Sequence, residues 1–309
     1  MTPKRIAIVF ALVLCLGAAA RCAAQPYTMI MPTPKGLSMG SMDALLKDMG
    51  AAIEKKTGIK VNVVNLEFDY LDTPVEDTLA KMNARKVDLA MVFGIDYVRY
   101  AAQNKINAVP LFAISMFGRS SYDVCLFTRK EDNIKSAKDL KGKVWGGVKT
   151  KNARFIMHLD GIDQPMSGFF SKLVYMPEEN VVTLLDALLD KKIDVFTVPN
   201  YQVNMTRNTN KKYNQVADVS CREYEHNWFI VYNKDTVSKE NAAKIKEAFM
   251  AAHKDPQFAQ FKFLLTAVKG RFVGMEIKDL ANTVKIVKYL QKYKWDQEEL
   301  AFIKKNFKR

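Results

Sequence analysis

Four consecutive residues, Lys149-Thr150-Lys151-Asn152, carry the sharpest chemical signal in the chain. Two cations and a hydroxyl stand where an apolar strand (residues 143–148) gives way to a helix. With the free N–H groups of a helix N-terminus they would hold an oxyanion. Ligands of open α/β sheets bind beyond the carboxyl ends of the strands, and three more loops meet that rule. They supply Thr33 and Lys35 after the first strand, Asp96 and Tyr97 after a strand ending at Val92, and Asn200 and Tyr201 after one ending at Val198. Each tyrosine, placed in a loop, would offer a ligand a hydroxyl and an aromatic face. Asp88 and Asp194 sit at the entry to strands, where a carboxylate serves backbone hydrogen bonding better than catalysis.

Other chemistries find little support. His158, His226 and His253 are scattered, and no spacing of histidine, cysteine or carboxylate matches a zinc, haem or P-loop signature. Met29, Met31, Met39, Met42 and Met49 suit adaptable core packing rather than a soft metal. No cofactor and no metal are expected. A nucleophile–base pair is not formed by spacing, although Asp96, Asn152 and His158 could meet in space.

The elements that must position the candidate residues come from a repeat. Residues 74–97 and 180–201 repeat each other, with 74–92 matching 180–198 at a constant offset of 106. Val75, Leu79 and Met82 stand opposite Val181, Leu185 and Leu188, the i, i+4, i+7 face of an amphipathic helix. Basic pairs, Arg85-Lys86 and Lys191-Lys192, close each helix at the negative end of its dipole, and a short strand follows. One helix–strand–loop module built twice implies two lobes and a cleft between them. Apolar passages at 109–129 and 228–234 would carry the chain out of lobe one and back. Strands alternating with helices predict an α/β fold with mostly parallel sheets: two Rossmann-like lobes joined by a β-strand hinge. Lobe one is expected at residues 25–117 plus 226–309, and lobe two at 118–225.

Residues 1–24 read as a secretory signal: a basic start, the apolar run 6–20 and a small-residue cleavage site after Ala24. The run is shorter than the roughly 20 residues a membrane helix needs. The formal charge of +14 loses Lys4, Arg5 and Arg21 on cleavage, leaving +11. The lysines are spread along the chain, so a solvated basic surface that attracts anions is the reading, with no nucleic-acid partner. Cys15 and Cys22 fall in the signal, where the residues before them, Leu14 and Arg21, argue against lipidation. Cys125 and Cys221 remain, and lie on the two crossovers, where a disulfide would staple the hinge.

With signal, repeat and crossovers in hand, the chain resembles the periplasmic substrate-binding proteins of ABC importers, in particular the phosphate/phosphonate-binding-protein-like family of the type II two-lobed fold. The likeness covers most of the mature chain and rests on residues 85–94 with Tyr97-Val98, on 136–144, on 192–195 with its helix, and on 228–235. It implies a periplasmic monomer that captures a small anionic solute between closing lobes and delivers it to an inner-membrane permease. In phosphonate binders the loop after lobe two's first strand looks like Ser-Thr-Ser-Gly; only Thr150 carries over. Those binders place a histidine where this chain has Asn180-Val181. Two other readings of the same fold are a lyase like those of menaquinone biosynthesis and a ligand-sensing subunit of a membrane kinase.

Overall fold

Apolar spacing and helix breakers set the boundaries of the first elements. The computed structural model describes residues 25–34, 42–68, 74–176, 181–259, 262, 265, 266 and 268–306; the signal segment and Lys35 lie outside them. Strand β1 (Tyr27–Pro34) precedes helix α1 (Met42–Thr57), which stops at Gly58. That glycine takes the left-handed conformation, φ +70°, which closes a helix without a Cβ penalty. Strand β2 (Val61–Phe68), helix α2 (Pro74–Asn83), strand β3 (Leu89–Val92), helix α3 (Gly94–Gln103) and strand β4 (Ala108–Ser115) follow. The chain then enters a second sheet through β5 (Ser121–Arg129), β6 (Val144–Gly147), helices α4 (Thr150–Leu159) and α5 (Met166–Phe169), and β7 (Lys172–Tyr175). Helix α6 (Val181–Leu189), β8 (Val195–Pro199), helix α7 (Asn200–Thr209) and β9 (Val216–His226) complete it. The return brings β10 (Phe229–Asn233), α8 (Lys239–Ala251), β11 (Arg271–Gly274), α9 (Ala281–Tyr293) and α10 (Trp295–Asn306).

The first sheet has the order β11-β4-β10-β3-β1-β2 and the second β7-β6-β8-β5-β9. Two lobes of α/β character result. β1 pairs in parallel with β2 and β3, and β6 with β7 and β8. The strands on the crossovers run the other way: β10 is antiparallel to β3 and β4, and β5 to β8 and β9. The parallel expectation fails there because a strand arriving from the other lobe enters its sheet from the opposite end.

The repeat folds as the same module twice. α2 and α6 each close on a basic residue in the left-handed conformation, Arg85 at φ 58° and Lys191 at φ 61°. In both, the next amide reaches five residues back, Lys86 N–H to Lys81 O and Lys192 N–H to Ala187 O, each 2.9 Å, the six-to-one bond of a Schellman end. Asp88 and Asp194 then make matched backbone bonds. Thr28 N–H donates to Asp88 Oδ2 (2.8 Å) and Val144 N–H to Asp194 Oδ2 (2.9 Å), so each aspartate ties its module to the parallel strand beside it, β1 or β6.

One layer of lobe one buries Met29, Leu46, Ile53, Phe112, Phe249 and Phe272, joining α1 and α8 to the sheet. Lobe two centres one cluster on Phe127, Leu185, Leu188 and Phe196. Each fully buried large apolar side chain stabilises by roughly 1.5–3 kcal/mol. The C-terminal helix reaches across to the second sheet. Its Phe302 lies against Trp145 and Tyr175 of lobe two (ring centroids 6.1 and 5.8 Å), while its Asp296 pairs with Arg99 of α3. α10 is therefore a strap touching both lobes.

Cys125 and Cys221 are bonded across directly paired positions of β5 and β9, Cα–Cα 4.1 Å. The bridge joins two strands inside the second sheet. The expectation that it staples the hinge itself is corrected, because both cysteines lie several residues inside their strands.

Candidate functional site

Helix α3 begins two residues after β3 ends at Val92 and α4 three residues after β6 ends at Gly147, so each N-terminus stands at the carboxyl end of a parallel strand, where α/β sheets bind ligands. Phe93 and Lys149 take the cap positions without a side-chain cap bond. Free N–H groups there need acceptors, and in both helices the acceptor is a carboxylate from far along the chain.

At α3 it is Glu225, near the end of β9. Ile95 N–H donates to Glu225 Oε2 (2.6 Å), and the Tyr122 hydroxyl donates to Oε1 (2.9 Å). Gly94 makes the approach possible: a Cβ there would stand 3.0 Å from Oε2 and 3.2 Å from Thr283 Cγ2. Burial pushes the Glu225 carboxyl up to about 7, and the negative charge of Asp96 adds to it. At α4 the acceptor is Glu299 of α10. Lys151 N–H donates to Glu299 Oε2 (3.0 Å), and Lys151 Nζ lies 3.2 Å from Oε1. Burial opposes the Lys151 charge, but Glu299, Asp296 and Asp96 outweigh it and hold the ammonium well above its usual range.

Of the residues singled out by sequence, Lys151, Thr150 and Asn152 stand at this second position. Thr150 and Asn152 are buried, and the Thr150 hydroxyl and Asn152 Oδ1 have no hydrogen-bond partner among the described residues. Lys149 caps the same turn. Asp96, in the first turn of α3, pairs with Arg99 (2.8 Å), and burial raises its pKa against that pairing. Asn200 and Tyr201 open α7, half-buried. The Tyr201 ring meets Tyr122 edge-on at 6.1 Å, which links it to Glu225. Thr33 ends β1, buried and paired in register with Glu67.

Tyr97 is the exception. It lies in the first turn of a helix rather than in a loop, and turns into the lobe-one core. Its hydroxyl donates to Ala108 O (3.0 Å), its ring packs edge-on to Phe229, and burial pushes its pKa up to about 12. The structure therefore takes it away from the cleft. Asp96, Asn152 and His158 do not converge either: His158, at the far end of α4, pairs with Asp163.

Sequence reasoning missed Glu225, Tyr122, Tyr224 and Glu299. Tyr224 is fully buried, its hydroxyl is unpartnered, and it lies within electrostatic range of Lys151, Glu299 and Glu225. Adjacency of Tyr224 and Glu225 to the second crossover was the one available signal. Beside that crossover a cavity of about 410 Å³ is lined in part by Ser115, Ser120, His226 and Arg271.

Comparison with known proteins agrees with this architecture. Residues 37–269 match the family described as "ABC transporter, phosphonate, periplasmic substrate-binding protein". The chain belongs to that family, whose members are periplasmic substrate-binding proteins of ABC transporters. The fold is similar to that of PhnD1 from Prochlorococcus marinus in complex with methylphosphonate: TM-score 0.62, 14% identity, covering 86% of this chain and 99% of that one. It is also similar to a binding-protein component of an ABC phosphonate transporter from Pseudomonas aeruginosa, with TM-score 0.60, 15% identity and coverage of 90% and 94%. The periplasmic aliphatic sulphonate-binding protein of Escherichia coli gives TM-score 0.55, 12% identity and coverage of 87% and 93%. No curated protein sequence matches the chain. Among the described residues no helix is long and apolar enough to cross a membrane.

Proposed function

We propose that the chain, exported and freed of residues 1–24, is a monomeric binding protein that captures a small phosphonate- or phosphate-like oxyanion between its lobes. It delivers that solute to the permease of an inner-membrane ABC importer and catalyses nothing. The lobes divide at the crossovers, with residues 25–117 and 226–309 in one and 118–225 in the other. One observation supports the oxyanion reading: the N-termini of α3 and α4 each already hold a carboxylate, at Ile95 N–H and at Lys151 N–H. Sites that accept carboxylates through N–H groups and an ammonium are sites for oxyanions. Ligand contacts from both lobes would stabilise the closed arrangement, since a ligand shifts an equilibrium only through its differential affinity for the two states.

The test is a thermal-shift screen of the mature protein against phosphate, methylphosphonate, phosphite, sulfonates and small carboxylates. A ligand at a hundred times its Kd stabilises by about 2.7 kcal/mol. A rise in Tm with one oxyanion class, reduced in Thr150→Ala and in Lys149→Ala/Lys151→Ala, is the expected result. No shift with any anion would sink the reading.

A further inference from the structure

The carboxylate at α4 comes from the chain's own C-terminal strap, and this bears on how an oxyanion enters. We propose that Glu299 is a built-in occupant of the anion position at the N-terminus of α4, so that an oxyanion binds by displacing it and Glu299 sets the site's affinity. The inference rests on the oxyanion reading above.

Three observations support it. Glu299 makes the contacts an anion would make, taking the Lys151 N–H and the Lys151 ammonium on separate oxygens. A carboxylate has only two oxygens, and two hydroxyls at this end are left over. Thr150 Oγ1, at the preceding residue, and Tyr224 Oη, within electrostatic range of both Lys151 and Glu299, are buried and have no partner among the described residues. A tetrahedral oxyanion carries a further oxygen for such donors, and an unsatisfied buried hydroxyl is costly. Finally, Glu299 rides on a separate helix at the end of the fold. α10 follows α9 across the single left-handed residue Lys294, φ 57°, and holds lobe two at this end through Lys151 and through Arg154, whose guanidinium lies over the Trp295 ring at 5.4 Å.

Adding a dianion beside Glu299 would set like charges against each other around one ammonium, so occupant and ligand exclude one another. Glu225 plays a different part, because its second oxygen is engaged by Tyr122 on the crossover strand and no ammonium pairs with it directly.

The experiment is titration calorimetry of the full mature chain with phosphate and with methylphosphonate. Wild type is compared with Glu299→Gln, which keeps the shape and loses the charge, and with Glu298→Gln, which removes the neighbouring charge on the same helix. The expected result is at least tenfold tighter binding in Glu299→Gln and less than a twofold change in Glu298→Gln. Binding by wild type that is unchanged or weakened in Glu299→Gln overturns the inference and leaves the oxyanion reading standing. No binding by any of the three proteins overturns both. Glu299→Ala, monitored by hydrogen exchange, guards against a misfolded variant: the Lys151 amide should lose protection without ligand and regain it with phosphate. Protection unchanged from wild type would also overturn the proposal.

Discussion

The two copies of the repeated module bond the same two carbonyls with different chemistry. In the first, Asn233 Nδ2 reaches from β10 to Met82 O (2.6 Å) and Val87 O (3.4 Å). In the second, one guanidinium nitrogen of Arg129 reaches from β5 to Leu188 O and Ile193 O, both 2.8 Å. These acceptors are related by the 106-residue offset. A neutral amide suffices in lobe one, whereas lobe two buries a cation and must supply Asp194 (2.6 Å) and Asp132 (2.8 Å) to neutralise it. What the module requires is a donor at that position; its charge is decided by the neighbours. The strand ends differ too: Tyr97 fills a core and Tyr201 meets the crossover tyrosine, although each opens the helix after its module's strand.

The largest effect that would sharpen this contrast is on the covalent tie that lobe two has and lobe one lacks. Cys125→Ser/Cys221→Ser, or reduction, should cost about 4.7 kcal/mol in the chain-entropy model for the 96-residue separation. Urea unfolding under oxidising and reducing conditions checks it, and two titratable thiols in the native exported form would refute the bridge. Next, Arg129→Ala strands Asp194 and two carbonyls and should cost about 3 kcal/mol or more, against about 1–2 kcal/mol for Asn233→Ala. Equal losses in chemical denaturation would break the comparison.

A third test concerns Glu225, which joins the lobes. Its carboxyl titrates near 4.5 when unfolded and near 7 when folded, so the native state holds the proton more tightly. Its contribution to stability is complete below about 4.5 and is lost as pH rises through 7. Glu225→Gln, which cannot ionise, should therefore flatten the fall in Tm across that interval. It should exceed wild type at pH 8 by something on the order of 2 kcal/mol, and an undiminished slope would refute the assignment. Tyr97→Phe should then cost about 1 kcal/mol through its lost buried hydrogen bond and leave anion affinity unchanged. Tyr201→Phe should lower affinity and leave Tm within error. The smallest effect tests the likeness rather than the contrast: Arg85→Gly and Lys191→Gly relieve the same left-handed strain and should each change stability by less than about 1 kcal/mol, with the same sign.

The architecture was legible because it is written in local patterns. The i, i+4, i+7 faces, the basic pairs and the glycine after α1 each specify an element from within a dozen residues, and the offset of 106 doubled the signal. Lys149–Asn152 was found for the same reason, as a strand-to-helix turn with donors in it. The partners of that turn were not legible. Glu225 lies 130 residues from Ile95, and Glu299 148 residues from Lys151; nothing in the local sequence of either distinguishes it from a solvated surface acid. Tyr97 misled because it belongs to a helix whose first turns, Gly94, Ile95, Tyr97 and Val98, are buried nearly all round, where the sequence suggests a loop.

The disulfide has a further consequence. The β5–β9 pairing shifts register between Ser121 and Asp123 and again between Leu126 and Phe127, and Cys125–Cys221 lies in the regular stretch between those irregularities. A slip of one residue in a ladder sends every side chain to the opposite face. Four residues past Cys221 the same strand delivers Glu225 to α3, with Tyr224 just before it. The bridge thus acts as a gauge pin for the stretch Asp123–Leu126 against Ser220–Glu223, and Tyr224 and Glu225 stand in the irregular step directly beyond that fixed stretch.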